Sequence, residues 1–202
     1  MFQIIQAAGW PIYFLLLASV IAVALIIERA ATLRRSKIVP AGLLASVASE
    51  FREKGVSDDL VKRLKAHSPL GRVFAAGLRN VKSSREVMRD AVEEAGRSVA
   101  HELERFLTSL GTIASISPLM GLFGTVVGMI EIFGAPTGSG SNPQALAHGI
   151  SVALYNTAFG LIVAIPSMIF YRHFRALVDS FLIEMELQAV KLVELAHGER
   201  RN

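Results

Sequence analysis

The sequence has no cysteine, which excludes disulfide bonds, thiolate metal sites and cysteine nucleophiles. Charge is also scarce over a long internal stretch: residues 106–171 contain no Lys, Arg or Asp, and only Glu131 and His148 there are potentially charged. Sixteen of the 21 Lys and Arg residues lie between Arg29 and Arg105. Such segregation in a chain that is 52% hydrophobic indicates a membrane protein and argues against a nucleic-acid-binding surface.

Three apolar stretches are long enough to cross a bilayer, which takes about 20 helical residues. A cleaved signal peptide is the alternative for the first, but residues 1–8 lack the basic residues that such a peptide needs. The predicted domains are an outer N-terminus with the first transmembrane helix (1–28), a cytoplasmic helical region (29–105), a second transmembrane helix (106–134), a short periplasmic loop (135–145), a third transmembrane helix (146–171) and a cytoplasmic C-terminal helix (172–202).

The distribution of basic residues predicts the orientation. Arg34 and Arg35 follow the first span, and Arg172 follows the third, whereas the N-terminus and the linker before the third span have no Lys or Arg. Basic flanks stay in the cytoplasm, so the N-terminus is expected outside and the C-terminus inside. Trp10 would then lie at the outer membrane interface.

The remaining pattern predicts an all-α protein whose second and third spans extend far into the cytoplasm as a helical bundle. Ser57 is an expected N-cap, and Ser83 with Glu86 has the spacing of a capping box. No helix breaker separates that box from the second span, so one continuous helix is expected over residues 84–133. A second long helix is expected from Pro143 to about Gly198.

Two segments resemble enzyme motifs but do not match them. GLFGTVVG, residues 121–128, is rich in glycine but lacks the GK[ST] ending of a P-loop and does not match GxGxxG. HELER, residues 101–105, has Arg105 where a zinc protease needs its second histidine. We therefore expect no enzyme activity, no cofactor and no metal site.

Small and polar residues instead form one stripe on each of the last two spans. Close helix packing is one explanation, and it suits the glycines and alanines best: Gly121, Gly124, Gly128, Gly160 and Ala164. Lining of a polar pathway is the other explanation, and it suits the polar members: Ser117, Thr125, Asn156 and Thr157. Both threonines are expected about 14 Å from the outer end, near the bilayer middle. One chain of three spans cannot enclose a pore, but a ring of several copies can.

The paired spans, LGTIASISPLMGLFGTVVGMIEIF and ISVALYNTAFGLIVAIPSMIFYRHF, resemble the MotA/TolQ/ExbB proton-channel family. Three spans in about 200 residues are more similar to its ExbB and TolQ branch than to MotA. The resemblance implies a homopentamer in the bacterial inner membrane, around single-span partners of the ExbD/TolR type and working with a TonB-like protein. It also implies that Thr125 and Thr157 face the pore.

A proton pathway needs a titratable group, and none lies at the level of the two threonines. The resemblance implies that a partner helix supplies an aspartate. Where relatives often carry a glutamate, five residues before Thr157, this chain has Val152. Glu131 is a candidate at the outer pore mouth, and the alternative is a carboxylate that reaches the outer surface without a role in transport.

The expected function is to convert the proton-motive force into work on the outer membrane, with TonB-dependent nutrient import as the first choice. A TolQ-like envelope-maintenance motor and a non-conducting membrane scaffold remain as alternatives. More than one client system and more than one partner stoichiometry are compatible with the sequence, as are both protons and sodium ions. A solute transporter is disfavoured because no pair of broken half-helices is evident.

Overall fold

The computed structural model describes residues 9–133 and 143–198, except for the side chains of residues 131, 132, 143–146, 148 and 152. These residues form helices and no strand, which confirms the all-α prediction. Eight α helices lie within the described ranges: α1 (Pro11–Thr32), α2 (Arg35–Ile38), α3 (Leu43–Lys54), α4 (Asp58–His67), α5 (Pro69–Arg79), α6 (Arg85–Glu104), α7 (Leu107–Phe133) and α8 (Pro143–Ala196). Three helical stretches are long and apolar enough to cross a membrane, as predicted: Pro11–Thr32, Arg85–Ile130 and Gly149–Ala196.

The chain divides into two compact units. The span unit contains the described parts of Met1–Arg29 and Phe106–His173, and the bundle unit contains the described parts of Ala30–Arg105 and Phe174–Asn202. The span unit holds most of α1, all of α7 and the first part of α8. The bundle unit holds α2 to α6 and the last part of α8, so α8 contributes to both.

Local sequence signals account for most helix ends in the bundle unit. Gly55 ends α3 with φ 69° and ψ −162°, a positive-φ conformation that glycine adopts readily. The Ser57 hydroxyl accepts a hydrogen bond from Leu60 N at 3.2 Å and caps α4, as predicted. The cap of α6 is Ser84 and not the predicted Ser83. Counting from Ser84 places Val87 at the third helical position, so a capping box with Glu86 does not form.

The prediction of one continuous helix over residues 84–133 is wrong. Helix α6 ends at Glu104 and α7 begins at Leu107. Phe106 between them has φ 65°, a left-handed conformation that is uncommon for a bulky residue. The Arg29 guanidinium lies 5.4 Å from the centre of the Phe106 ring. Neither Gly nor Pro marks this break, and it coincides with a tertiary contact that helical periodicity does not report.

The bundle unit has a hydrophobic core built from α5, α6 and α8. Phe74 of α5, Met88 of α6 and Leu192 of α8 are fully buried. A methyl group at Gly77 would lie 2.8 Å from Val92 Cγ2 and 3.9 Å from Leu192 Cδ2, so these helices pack closely around that glycine. The part of α8 in this unit therefore uses one apolar face for the core.

Candidate functional site

The glycines of α7 and α8 form a tight contact within the span unit. A methyl group at Gly121 would lie 2.7 Å from Asn156 O and 3.1 Å from Thr157 Cα. One at Gly124 would lie 2.6 Å from Asn156 Cγ, and one at Gly160 would lie 2.6 Å from Ser117 O. Real Cβ atoms do not come this close to other heavy atoms, so the helices meet backbone to backbone, as small residues permit in membrane helices.

Gly128 also lies along this contact, but the helices are less close there. A methyl group at Gly128 would lie 3.8 Å from Ala153 Cβ, which is an ordinary van der Waals distance. Ala164 is buried. The two helices therefore approach most closely at Gly121, Gly124 and Gly160 and leave more room towards Gly128.

Two of the four predicted pore-lining residues are enclosed by this contact. Ser117 is 2% exposed, and its hydroxyl donates a hydrogen bond to Ile113 O at 2.6 Å within α7. Asn156 is 1% exposed and packs against Gly124. In a single chain neither side chain reaches a surface, so their burial favours the packing interpretation for this pair.

Thr125 and Thr157 lie at the edge of the tight contact, and the Thr157 Cα takes part in it opposite Gly121. Thr125 follows Gly124 in the sequence, and Thr157 follows Asn156. Because Gly124 and Asn156 touch, the two threonines lie within about one helical turn of the same level. The helices are antiparallel, so a rotation of about 100° from each contact residue turns both threonines to the same side of the hairpin.

Both threonines are half-buried, unlike Ser117 and Asn156. The Thr125 hydroxyl donates a hydrogen bond to Leu122 O at 2.6 Å, so its remaining capacity is to accept a hydrogen bond. A shallow apolar groove along α7 begins at Thr125 and continues past Met129 to Phe133. Thr125 is the polar member of this otherwise apolar surface.

Trp10, the residue before α1, contacts another side of α7. The Trp10 ring, next to the start of α1, meets the Phe123 ring edge-on at 5.9 Å. Phe123 precedes Thr125 by two residues, a rotation of about 200°. The side of α7 that carries Thr125 is therefore turned away from the Trp10 contact.

The same contact places the Trp10 ring beside Phe123, two residues from Thr125 in the sequence. The bilayer depths expected for Trp10 and Thr125 stay predictions.

Three sequence positions that bear on proton transfer have side chains outside the described residues: Glu131, His148 and Val152. The proposed pore-mouth role of Glu131 therefore stays a prediction. Within residues 106–171, Glu131 and His148 are the ionisable residues other than tyrosine. The supply of a titratable group by another protein, like the role of Glu131, stays a prediction.

A charged cluster at the end of α1 was not anticipated beyond its effect on topology. Arg29 is 6% exposed, and its Nη2 donates a hydrogen bond to the Glu28 carboxylate at 2.7 Å. Its guanidinium also faces the Phe106 ring. The sequence signal was present, since an adjacent Glu–Arg pair at the end of an apolar span has opposite charges to offset the cost of burial.

A family model described as the MotA/TolQ/ExbB proton channel family matches residues 65–187, a range that includes both threonines and the tight contact. The chain belongs to this family. It is 34% identical to ExbB-like 3 of Synechocystis over 162 residues, which cover 79% of this chain and 77% of that relative.

Relatives with two kinds of name match the chain. It is 32% identical to biopolymer transport protein exbB1 of Vibrio cholerae over 166 residues, covering 79% of this chain and 71% of the relative. It is 35% identical to the Tol-Pal system protein TolQ of Haemophilus influenzae over 111 residues, covering 49% of each chain. The family is therefore shared by proteins named for biopolymer transport and for the Tol-Pal system.

Proposed function

We propose that this chain is the ring-forming inner-membrane subunit of a proton-driven motor, and that Thr125 and Thr157 line its proton pathway. The observation that carries the proposal is their arrangement: two half-buried hydroxyls lie at nearly one level on one side of a hairpin held together by Gly121, Gly124 and Gly160. A ring of copies, with five expected, turns these pairs towards a common axis. The N-terminus is periplasmic and the C-terminus cytoplasmic in this arrangement.

The proton carrier comes from a single-span partner of the ExbD/TolR type that inserts an aspartate at the threonine level. A threonine hydroxyl does not lose its proton at physiological pH, and residues 106–171 contain no Asp, Lys or Arg. The Thr125 oxygen can accept a hydrogen bond from the protonated carboxyl group, which favours that neutral form in the membrane. When the partner's carboxyl group then loses its proton on the other side of the ring, the position that the partner helix prefers changes.

The work done on the outer membrane is TonB-dependent nutrient import, with a TonB-like protein as the second partner. The match to a relative named for biopolymer transport over 79% of this chain supports this choice. A TolQ-like role in envelope maintenance is the second candidate, supported by the match to a Tol-Pal protein over 49% of the chain. Protons are favoured over sodium ions because the proposed lining offers single hydroxyls and not a cage of oxygen ligands.

The test is proton flux into liposomes that contain the full chain, with and without the co-expressed partner. Thr125→Val and Thr157→Val are expected to preserve the size of the oligomer and to abolish partner-dependent flux, since valine keeps the shape and removes the hydroxyl. Thr112→Val is the matched control. Thr112 also donates to a main-chain oxygen of α7, Thr108 O at 2.8 Å, but it lies on an exposed face.

Each alternative has its own outcome. Normal flux in both Thr125→Val and Thr157→Val would overturn the pathway assignment. Loss of the oligomer in either variant would show that the threonine acts in helix packing. Absence of partner-dependent flux in the unaltered protein, with the oligomer intact, would favour a non-conducting scaffold.

A further inference from the structure

The last part of α8 has two opposite apolar faces. One face is buried in the core of the bundle unit and includes Phe174, Phe181, Met185 and Leu192. The other carries Ile183, Leu187 and Val190, which are 60%, 59% and 49% exposed. A helix that needed only to cover its own bundle would have a polar outer face.

The exposed face has the spacing of a helix-packing surface. Its members lie 4, 3, 4 and 3 residues apart along α8, and all are exposed: Ala176, Ser180, Ile183, Leu187 and Val190. This alternation keeps them on one side of a helix that packs lengthwise against a partner. We call this surface the outer stripe. Towards its C-terminal end the stripe is flanked by exposed Glu186 on one side and exposed Lys191 on the other. Glu184, on the Lys191 side, is paired with Arg35.

A groove of complementary character lies elsewhere on the bundle unit, between α5 and α6. Its apolar lining consists of three small side chains: Ala76, Ala91 and Ala95. Lys65 and Arg79 lie on the rim formed by α4 and α5, and Glu94 lies on the rim formed by α6. We call this surface the alanine groove. Small side chains between charged rims leave space for large apolar side chains from a second helix.

We propose that the outer stripe of one copy packs into the alanine groove of the next copy. Ile183, Leu187 and Val190 fill the space above the alanines, Glu186 faces Lys65 and Arg79, and Lys191 faces Glu94. In both contacts, residues of opposite charge then face each other. Charge complementarity of this kind selects the partner and its orientation.

The occupant is a second copy because a chain cannot make this contact with itself. The face of α8 opposite the outer stripe packs on the helices that form the groove, as Leu192 beside Gly77 shows, so the stripe points away from them. Stripe and groove are different surfaces of one chain, and a contact of this kind is head-to-tail. Head-to-tail contacts close into rings when the rotation between copies permits. The inference thus rests on the proposed ring and specifies what joins its subunits.

The natural absence of cysteine makes a direct test possible in full-length chains in membranes. Ala95→Cys and Leu187→Cys are introduced into separately tagged copies, which are co-expressed and oxidised. The expected product is a disulfide between the two tags, with none from either variant alone. Glu93→Cys paired with Leu187→Cys is the control, because residue 93 lies on the same helix as Ala95 but on a different side. Equal yields from the two pairs, or cross-linking of Leu187→Cys to itself, would overturn the proposal.

Charge reversal tests the flanking pairs in the same cross-linking background. Glu186→Lys alone and Arg79→Glu alone are each expected to reduce the yield about fivefold, which corresponds to ~1 kcal/mol for a rim ion pair. The double variant should recover most of the yield, and failure to recover would refute the assigned pairing. Adding Thr125→Val should leave the cross-link intact while abolishing flux. A lost cross-link with normal flux would overturn the groove and leave the proposed function standing.

Discussion

Replacing Gly160 by alanine tests the hairpin geometry most directly. The added methyl group would lie 2.6 Å from Ser117 O, 3.1 Å from Gly121 Cα and 3.3 Å from Gly121 N. All three are main-chain atoms of a helix, so they cannot rotate away as a side chain can. Helices α7 and α8 would have to separate or tilt by several tenths of an ångström along their whole contact.

The expected loss of stability follows from two opposing effects. Overpacking against main-chain atoms that cannot move aside costs about 2–3 kcal/mol, the upper part of the usual range. Replacing glycine by alanine inside a helix stabilises it by up to about 1 kcal/mol. The net loss of unfolding free energy is therefore about 1–2 kcal/mol, which for a chain of about 200 residues corresponds to a melting temperature lower by about 2–8 °C.

Gly128→Ala is the matched control for this experiment. It makes the same chemical change on the facing helix, but its methyl group would lie 3.8 Å from Ala153 Cβ, an ordinary contact. Its melting temperature is expected to stay the same or rise. Thermal unfolding of the detergent-solubilised full chain, followed by circular dichroism, provides the comparison. Equal melting temperatures for Gly160→Ala and Gly128→Ala would refute the inference of a main-chain contact at Gly160.

Two further substitutions probe other parts of the chain. Gly71→Ala would place a methyl group on the carbonyl oxygen of Leu64, so we expect it to lower stability by at least about 2 kcal/mol. Gly96→Ala is its control in the same melting assay, because no atom lies within 4 Å of the added methyl and alanine favours the helix. Glu131→Gln is expected to reduce partner-dependent proton flux in liposomes if Glu131 gathers protons at the pore mouth. Unchanged flux and unchanged nutrient uptake would identify it as a surface carboxylate without a role in transport.

Local signals and tertiary contacts differ in what they reveal about the helix ends. The cap at Ser57 and the glycine end at Gly55 were readable from the sequence because each satisfies backbone groups within a few residues. The break at Phe106 was not readable, since neither glycine nor proline marks it. It accompanies a contact with Arg29, a residue 77 positions away in the chain.

The bundle unit also has one feature that the sequence reveals and one that only the packing reveals. Phe181, Met185 and Leu192 recur at helical spacing along α8, and all three are buried. The opposite face, with Ile183 and Leu187, has apolar residues as well, and periodicity alone does not distinguish a face that is covered from one that is exposed. Packing of the other helices makes that distinction.

The sequence by itself determined the all-α class, the three apolar spans and the family, because a bilayer demands long apolar helices whose backbone groups bond internally. Only the tertiary structure decided which polar residues of the small stripes are enclosed in the helix contact. Ser117 and Thr125 lie within about 100° of each other on one helix, as periodicity shows. The position of α8 encloses Ser117 and leaves Thr125 half-buried, and a difference of tens of degrees in helix orientation is set by packing and not by composition.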